Sequence, residues 1–231
     1  MKTEALIVRP ESLEPFAGFF HPEAAPWEWI RSIQPALESM AWDVYPRQDE
    51  FSIPAGVHLE GSVYLHESVR LPHTGTLIGP AYIGANCELR PGFFIRGNVI
   101  ATRECVLGNS CEFKNCLLLD GAQVPHFSYV GDSLLGNGAH LGAGSILSNL
   151  RFDGREVGAW TREGKVSTGL RKLGAILGDE AEIGSNAVLQ PGAVLSRRSI
   201  VMTGMVFNGF LEPETLAYSR ESTQRVRRRD L

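Results

Sequence analysis

Aliphatic or small apolar residues return every six positions along much of this chain. One run is Leu77, Ile83, Leu89, Ile95, Ala101, Leu107 and Phe113; a second is Leu135, Leu141 and Leu147; a third is Leu177, Ile183, Leu189, Leu195 and Val201. A shorter run, Val57, Val63 and Val69, precedes them. Four residues after each anchor comes a second, mostly small residue: Ala81, Cys87, Val99, Cys105 and Cys111, then Ala139 and Ser145, then Ala181, Ala187, Ala193 and Ser199, with Phe93 the bulky exception. Three residues after the anchor, Asn or Gly is common, at Asn86, Gly92, Asn98, Gly138, Gly144, Asn186 and Gly192. Those residues accept positive φ at low cost, so each hexad is expected to end in a sharp corner. Neither a 3.6 nor a simple 2.0 period fits, which excludes a helical bundle and disfavours a β-sandwich. Short strands joined by regular corners predict an all-β parallel β-helix.

The pattern resembles the hexapeptide-repeat acyltransferases, whose coils hold three hexads and wind left-handed. The resemblance implies a left-handed parallel β-helix over residues 57–205. Roughly eight coils at ~4.8 Å each would make a prism about 38 Å tall. Residues 1–56 lack hexads, and PWEWIRSIQPALESM predicts one or two short helices, with Pro26 suited to a first turn and Pro35 breaking any longer one. That segment is expected to cap an open end of the prism or to make a trimer contact. Between Asn149 and Lys172 the repeat stops, then resumes; the insertion, 150–171, is expected to carry a hairpin turning at Glu163-Gly164, projecting from the prism and able to fold over a ligand. Residues 206–231 form a tail ending in the basic RVRRRDL, read as solvated.

Composition narrows the function classes. With 22 Lys and Arg against 26 Asp and Glu, the net charge of -4 supplies no field that would gather nucleic acid or an anionic membrane. The opening apolar run stops at Arg9 and Pro10 and no stretch of 18 apolar residues occurs, so the expected location is the cytoplasm. The four cysteines form no C-x-x-C pair, and Cys87, Cys105 and Cys111 fall on small inward positions, which predicts buried free thiols. No metal-binding spacing stands out: His66, His73, His126 and His140 lack a close pair.

With 18-residue coils, Arg96 and Lys114 would stack one above the other. Their repulsion needs relief from a carboxylate such as Glu112 or from a bound phosphate or carboxylate. His126 sits in VPHFSYVGD, where the hexad frame slips between Phe113 and Leu135. A slip makes an irregular corner from which a side chain can leave the wall, and an imidazole titrates where it can serve as a general base.

The stretch EFKNCLLLDGAQVPHFSYVGDSLLGNGAHLGAGSILSN is similar to the acetyltransferase domain of the bifunctional N-acetylglucosamine-1-phosphate uridylyltransferase and glucosamine-1-phosphate acetyltransferase family. That family's pattern reads approximately E-x-K, eleven residues, H-L-T-Y-x-G-D, then N-I-G-A-G-T-I-x-x-N, and the similarity covers residues 75 to 205. The resemblance implies that His126 deprotonates a sugar amine for attack on acetyl-CoA, with Glu112 helping to orient it. It implies that Arg90, Lys114, Tyr129 and Lys172 hold the sugar phosphate, and that Asn149, Ser185 and Thr203 meet acetyl-CoA or the site wall. His140 stands where the family has a sugar-contacting Asn, so it is expected on the substrate too. No G-x-G-x-R followed by K-P occurs near the start, and the nucleotidyltransferase half is expected to be missing. The expected protein is a homotrimeric acetyl-CoA-dependent N-acetyltransferase of an amino-sugar phosphate. The rival expectations are a non-catalytic sugar-phosphate-binding scaffold beside a separate nucleotidyltransferase and, less well supported by the histidine spacing, a zinc hydrolyase.

Overall fold

A residue that must point inward every sixth position, with a corner between, winds the chain into a triangular coil whose three walls stack into three sheets. The structure, a computed structural model, describes residues 1–40 and 53–220. Its prism has eight strands in sheet A, from Gly56–Glu60 to Val206–Phe207, eight in sheet B, from Val63–Leu65 to Phe210–Leu211, and seven in sheet C, from Glu88–Leu89 to Leu216–Ala217. All pairings within these sheets are parallel, as in the left-handed β-helix that the resemblance implies.

Register explains the frame slip. Leu77 pairs with Ile95 and Ile95 with Phe113, each 18 residues on, whereas Phe113 pairs with Val130 and Val130 with Leu147, each 17 on. Two coils therefore lose one residue each at the corner between sheets A and B, and the inward anchors there are Leu118, Val124 and Val130. Among the seven corner positions singled out by sequence, every φ is positive, from 55° at Asn98 to 82° at Gly192. In the two shortened corners the left-handed residue comes one place earlier, at Asn115 (φ 47°) and Asp132 (φ 48°).

The interior is filled by the anchors and the small residues, and Cys87, Cys105, Cys111 and Cys116 are buried free thiols. Burial pushes the thiols of Cys105, Cys111 and Cys116 up, while a hydrogen bond with Cys105 lowers that of Cys87. Only an accessible thiolate reacts with a disulfide reagent. The folded protein is expected to leave a thiol-exchange chromophore unreacted at pH 8 and to titrate all four thiols in denaturant; rapid reaction of even one thiol in the folded state would contradict this packing.

Sheet B is unusual in being apolar on both faces. Tyr82, Ile100, Leu117, Leu134, Ile176 and Val194 point outward from it yet are buried, because the N-terminal segment lies against them. Leu6, Phe16, Phe20, Trp29, Ile30, Ile33 and Leu37 supply the covering surface. The segment therefore coats a side wall rather than capping an end. Its helix, Pro26–Glu38, begins at Pro26 as expected but runs through Pro35. A mid-helix proline forfeits one backbone bond and costs ~3 kcal/mol; here Ala36 and Leu37 beyond it are fully buried, at ~1.5–3 kcal/mol for a Leu side chain, which holds the last turn in place. The Asp179 carboxylate ties the segment down, accepting from the Val8 amide at 2.8 Å and the Asn137 amide at 2.9 Å.

The insertion does contain the expected hairpin, Ala159–Thr161 against Gly164–Val166. It does not project. Val157 and Ala159 are fully buried against the N-terminal segment's cluster, the Trp160 amide donates to Gly192 at 3.0 Å, and Arg31 reaches the Thr168 carbonyl at 2.6 Å. The hairpin is held along the edge between sheets A and B, because its apolar residues complete the covering of sheet B. The basic RVRRRDL cluster lies outside the described residues.

Candidate functional site

The two shortened corners stack directly, and the geometry they create centres on Asp132. Its side chain is only 5% exposed. One carboxylate oxygen accepts from Lys114 Nζ at 2.9 Å and Asn115 Nδ2 at 2.8 Å. The other accepts from Lys114 Nζ at 3.1 Å and Asn149 Nδ2 at 2.5 Å. Asn149 Nδ2 also donates to the Tyr129 hydroxyl at 3.0 Å. Three donors, two from the coil before and one from the coil after, are thus fixed by one buried carboxylate at the outer edge of sheet A. An ammonium has three N–H groups, so Lys114 retains donor capacity toward a ligand anion.

Gly131 makes this arrangement possible. It follows the inward Val130, one coil above Lys114, and the hydroxyl end of Tyr129 lies against it. A Cβ there would overlap the Tyr129 hydroxyl and come within 2.7 Å of Asn149 Nδ2. Burial pushes the Tyr129 phenol above its ordinary range, with the Asn149 hydrogen bond opposing. Gly131→Ala is expected to cost about 1–3 kcal/mol, as overpacking does, and to weaken anion binding roughly tenfold by displacing Tyr129 and Asn149. A thermal melt beside a sugar-phosphate titration checks it; a variant equal to wild type in both would refute the packing argument.

His126 ends the strand Gln123–His126, at the corner where sheet C turns into sheet A. Its ring is exposed, and its carbonyl accepts from Ser128 Oγ at 2.9 Å and from the Gly144 amide at 3.0 Å. The next residue, Phe127, is 60% exposed and has φ 52°. A bulky residue in the left-handed region is a strained corner, of a kind that costs roughly 1–3 kcal/mol and clusters at functional sites. Ser185 and Thr203 occupy the same corner on later coils: Asn186 donates to Ala143, and Gly204 to Ser185, in one continuous ladder. His126, Ser185 and Thr203 therefore line one edge of the prism, while Lys114, Asn149 and Asp132 line the other edge of the same sheet, with Tyr129 between.

The remaining sequence-derived residues divide. Lys172 joins the edge of Asp132: its backbone bridges Leu150 at the neck of the insertion, and Gly174 donates to the Asp132 carbonyl at 2.7 Å. Glu112 does not orient His126; its carboxylate accepts from Arg96 Nε at 2.5 Å. This settles how the stacked cations are relieved, with Glu112 on Arg96 and Asp132 on Lys114. Arg90, two coils below the His126 corner, donates to Glu88 at 2.7 Å, and that bond holds the Glu88 carboxyl below its usual range. His140 stands on the neighbouring sheet C between Gln123 and Glu182, so within one chain it does not meet Lys114 and Tyr129. Among the described residues, no three His, Cys, Asp or Glu side chains gather as a metal site, and no helix is long and apolar enough to cross a membrane.

Asp132 was missed from the sequence. Its signal was present in VGD: a shortened hexad whose corner residue is Asp, preceded by a Gly with no corner to make.

Comparison with known proteins gives consistent matches. The family described as GMPPB C-terminal domain matches residues 77–206. A bifunctional sugar-1-phosphate nucleotidylyltransferase/acetyltransferase of Sulfurisphaera tokodaii is 30% identical over 193 residues, which is 84% of this chain and 47% of that protein. The bifunctional protein GlmU of Methanococcus aeolicus is 28% identical over 204 residues, 88% of this chain and 48% of that protein. The chain thus spans about half the length of the curated relatives it matches. Among solved structures, a UDP-N-acetylglucosamine acyltransferase covers 67% of this chain and 61% of its own at 15% identity and a TM-score of 0.34.

Proposed function

The chain belongs to the GMPPB C-terminal domain family, and we propose that it is an acetyl-CoA-dependent N-acetyltransferase of an amino-sugar phosphate. The observation that carries the reading is the pairing, across one sheet face, of an exposed imidazole at His126 with the cationic, hydrogen-bonding cluster of Lys114, Tyr129 and Asn149. A relative whose name includes acetyltransferase, matched over about half its length, supports it.

In this scheme the sugar phosphate is held by Lys114, Tyr129 and Lys172, and the sugar lies across sheet A toward His126. His126 takes the proton as the amine nitrogen bonds to the thioester carbonyl carbon. Backbone amides of the coil hold the oxyanion, and collapse breaks the C–S bond as the thiolate leaves. The CoA chain runs along the edge of Ser185 and Thr203 toward a cleft of about 870 Å³ at the prism end, lined by Thr203, Met205 and Tyr218. A neighbouring prism of a homotrimer would close this edge and bring in His140 and Arg90 from its own faces.

The test is CoA release from acetyl-CoA with glucosamine-1-phosphate and a panel of other amino sugars, on wild type and His126→Ala. Release that depends on His126 supports the reading. No release with any acceptor and no CoA binding by calorimetry would replace it with the scaffold reading.

A further inference from the structure

A second cleft, of about 470 Å³, opens between the neck of the insertion and the upper rungs of sheet A. That is within the range of small-molecule sites. Its floor is the column of residues that follow the inward anchors Leu147, Leu189 and Phe207: Ser148, Gln190 and Asn208, stacked on successive coils. Its wall is Phe152 and Lys165 from the insertion. The cleft is continuous with the cluster already described, because Ser148 and Leu150 flank Asn149, whose amide reaches Asp132 and Tyr129.

The lining has unspent binding capacity. Among the described residues, the side chains of Ser148 and Gln190 make no hydrogen bond to protein, and Asn208 uses only its carbonyl oxygen, to accept from Trp160 Nε1 at 2.8 Å. Among the described residues Lys165 has no acidic partner; its ammonium lies 5.4 Å from the Trp160 ring centroid. Arg151, by contrast, is committed to Asp153 at 2.9 and 2.6 Å. Phe152 is fully exposed at the mouth, with both ring faces in solvent. An aromatic ring beside an unpaired cation and a ladder of amides and a hydroxyl suits a ligand with a planar base and a charged phosphate chain.

We infer that this cleft binds the base and diphosphate of a nucleoside-diphosphate-linked amino sugar, with Phe152 stacking on the base and Lys165 on the diphosphate. The inference rests on the acyltransferase reading for the sugar's fate, and narrows the acceptor from a simple sugar phosphate to a nucleotide-linked one. The sugar would then extend from the cleft past Asn149 toward His126.

Calorimetric titration of the full chain with uridine diphosphate, guanosine diphosphate and inorganic pyrophosphate tests it. At least one nucleoside diphosphate should bind at least tenfold more tightly than pyrophosphate. Phe152→Ala should weaken the nucleoside diphosphate about tenfold more than it weakens pyrophosphate, whereas Lys165→Ala should weaken both. Because Phe152 is outside the core, its removal leaves a folded protein in which the loss is readable. Failure of both nucleoside diphosphates to bind, or equal effects of Phe152→Ala on base-bearing and base-free ligands, would overturn the inference. So would displacement of the nucleoside diphosphate by desulfo-CoA, which would assign the cleft to the donor's adenosine diphosphate. CoA release with glucosamine-1-phosphate in the absence of nucleotide binding would sink this inference and leave the acyltransferase reading standing. Nucleotide binding without CoA release from any acceptor would do the reverse.

Discussion

His126→Ala is expected to lower the turnover of CoA release by ~10²–10⁴-fold, the usual worth of a positioned general base, while the melting temperature stays at the wild-type value. The fold does not depend on this ring. It is exposed at a corner, and the structural contacts of the residue run through its backbone carbonyl, which the substitution retains. KM for acetyl-CoA should change little, because the edge of Ser185 and Thr203 lies on later coils. The combination is diagnostic: a fall in kcat at constant stability and constant CoA affinity assigns His126 to proton transfer, whereas a parallel loss of CoA binding would make it a binding residue. Wild-type turnover in the variant would remove it from the mechanism.

The prism was legible because its physics is periodic. An inward anchor every sixth residue leaves no other arrangement in which Leu77, Ile95 and Phe113 share one wall, and Asn or Gly at the corner marks where φ turns positive. Corners that carry Glu104, Ser110, Glu180 or Arg198 gave no such mark, since the stack of neighbouring coils imposes the left-handed conformation on whichever residue stands there. The N-terminal segment is expected at an open end of the prism or in a trimer contact, because open ends need covering, but a different signal decides its place on a side wall. Strands such as Cys116–Leu118, Leu134–Leu135 and Ile176–Leu177 are apolar at consecutive positions, the mark of a sheet buried on both faces, and that outward row is what Trp29, Ile33 and Leu37 cover.

At the site, residue types were readable and partners were not. The resemblance names Lys114 and Tyr129 but not the carboxylate that neutralises Lys114: Asp132 lies 18 residues on, yet the coil between closes in 17, so Gly131 takes the paired position and Asp132 the left-handed corner next to it. The resemblance offers Glu112 to His126, whereas the stacking offers it to the Arg96 and Lys114 pair; the parallel register sets Glu112 beside Phe94, where the neighbouring Arg96 takes its carboxylate.

Asp132 carries the second large effect. Replacing it with Ala removes the carboxylate that four donor contacts share and leaves Lys114 as a largely buried cation without its partner. Breaking such a pair from one side costs ~3–5 kcal/mol; Lys114 keeps 22% of its side chain in water, which argues for the lower end. The backbone adds a further cost of about 1 kcal/mol, since Asp132 sits at φ 48°, which Asp and Asn tolerate better than Ala. For a chain of this size the sum corresponds to a fall in melting temperature on the order of 10 °C. Asp132→Asn separates the two causes. It keeps the side-chain shape and the tolerance for positive φ, but turns one acceptor into an amide donor among Lys114, Asn115 and Asn149, which are all donors. It should therefore retain part of the stability loss and nearly all of the loss in sugar-phosphate affinity. Adding Lys114→Met to Asp132→Ala removes the stranded charge and should recover stability without recovering binding, a non-additivity that a double-mutant cycle reads directly. If Asp132→Asn melts and binds like wild type, the carboxylate is not the organiser of this edge, and the alignment of Lys114, Tyr129 and Asn149 must come from the coil backbone alone.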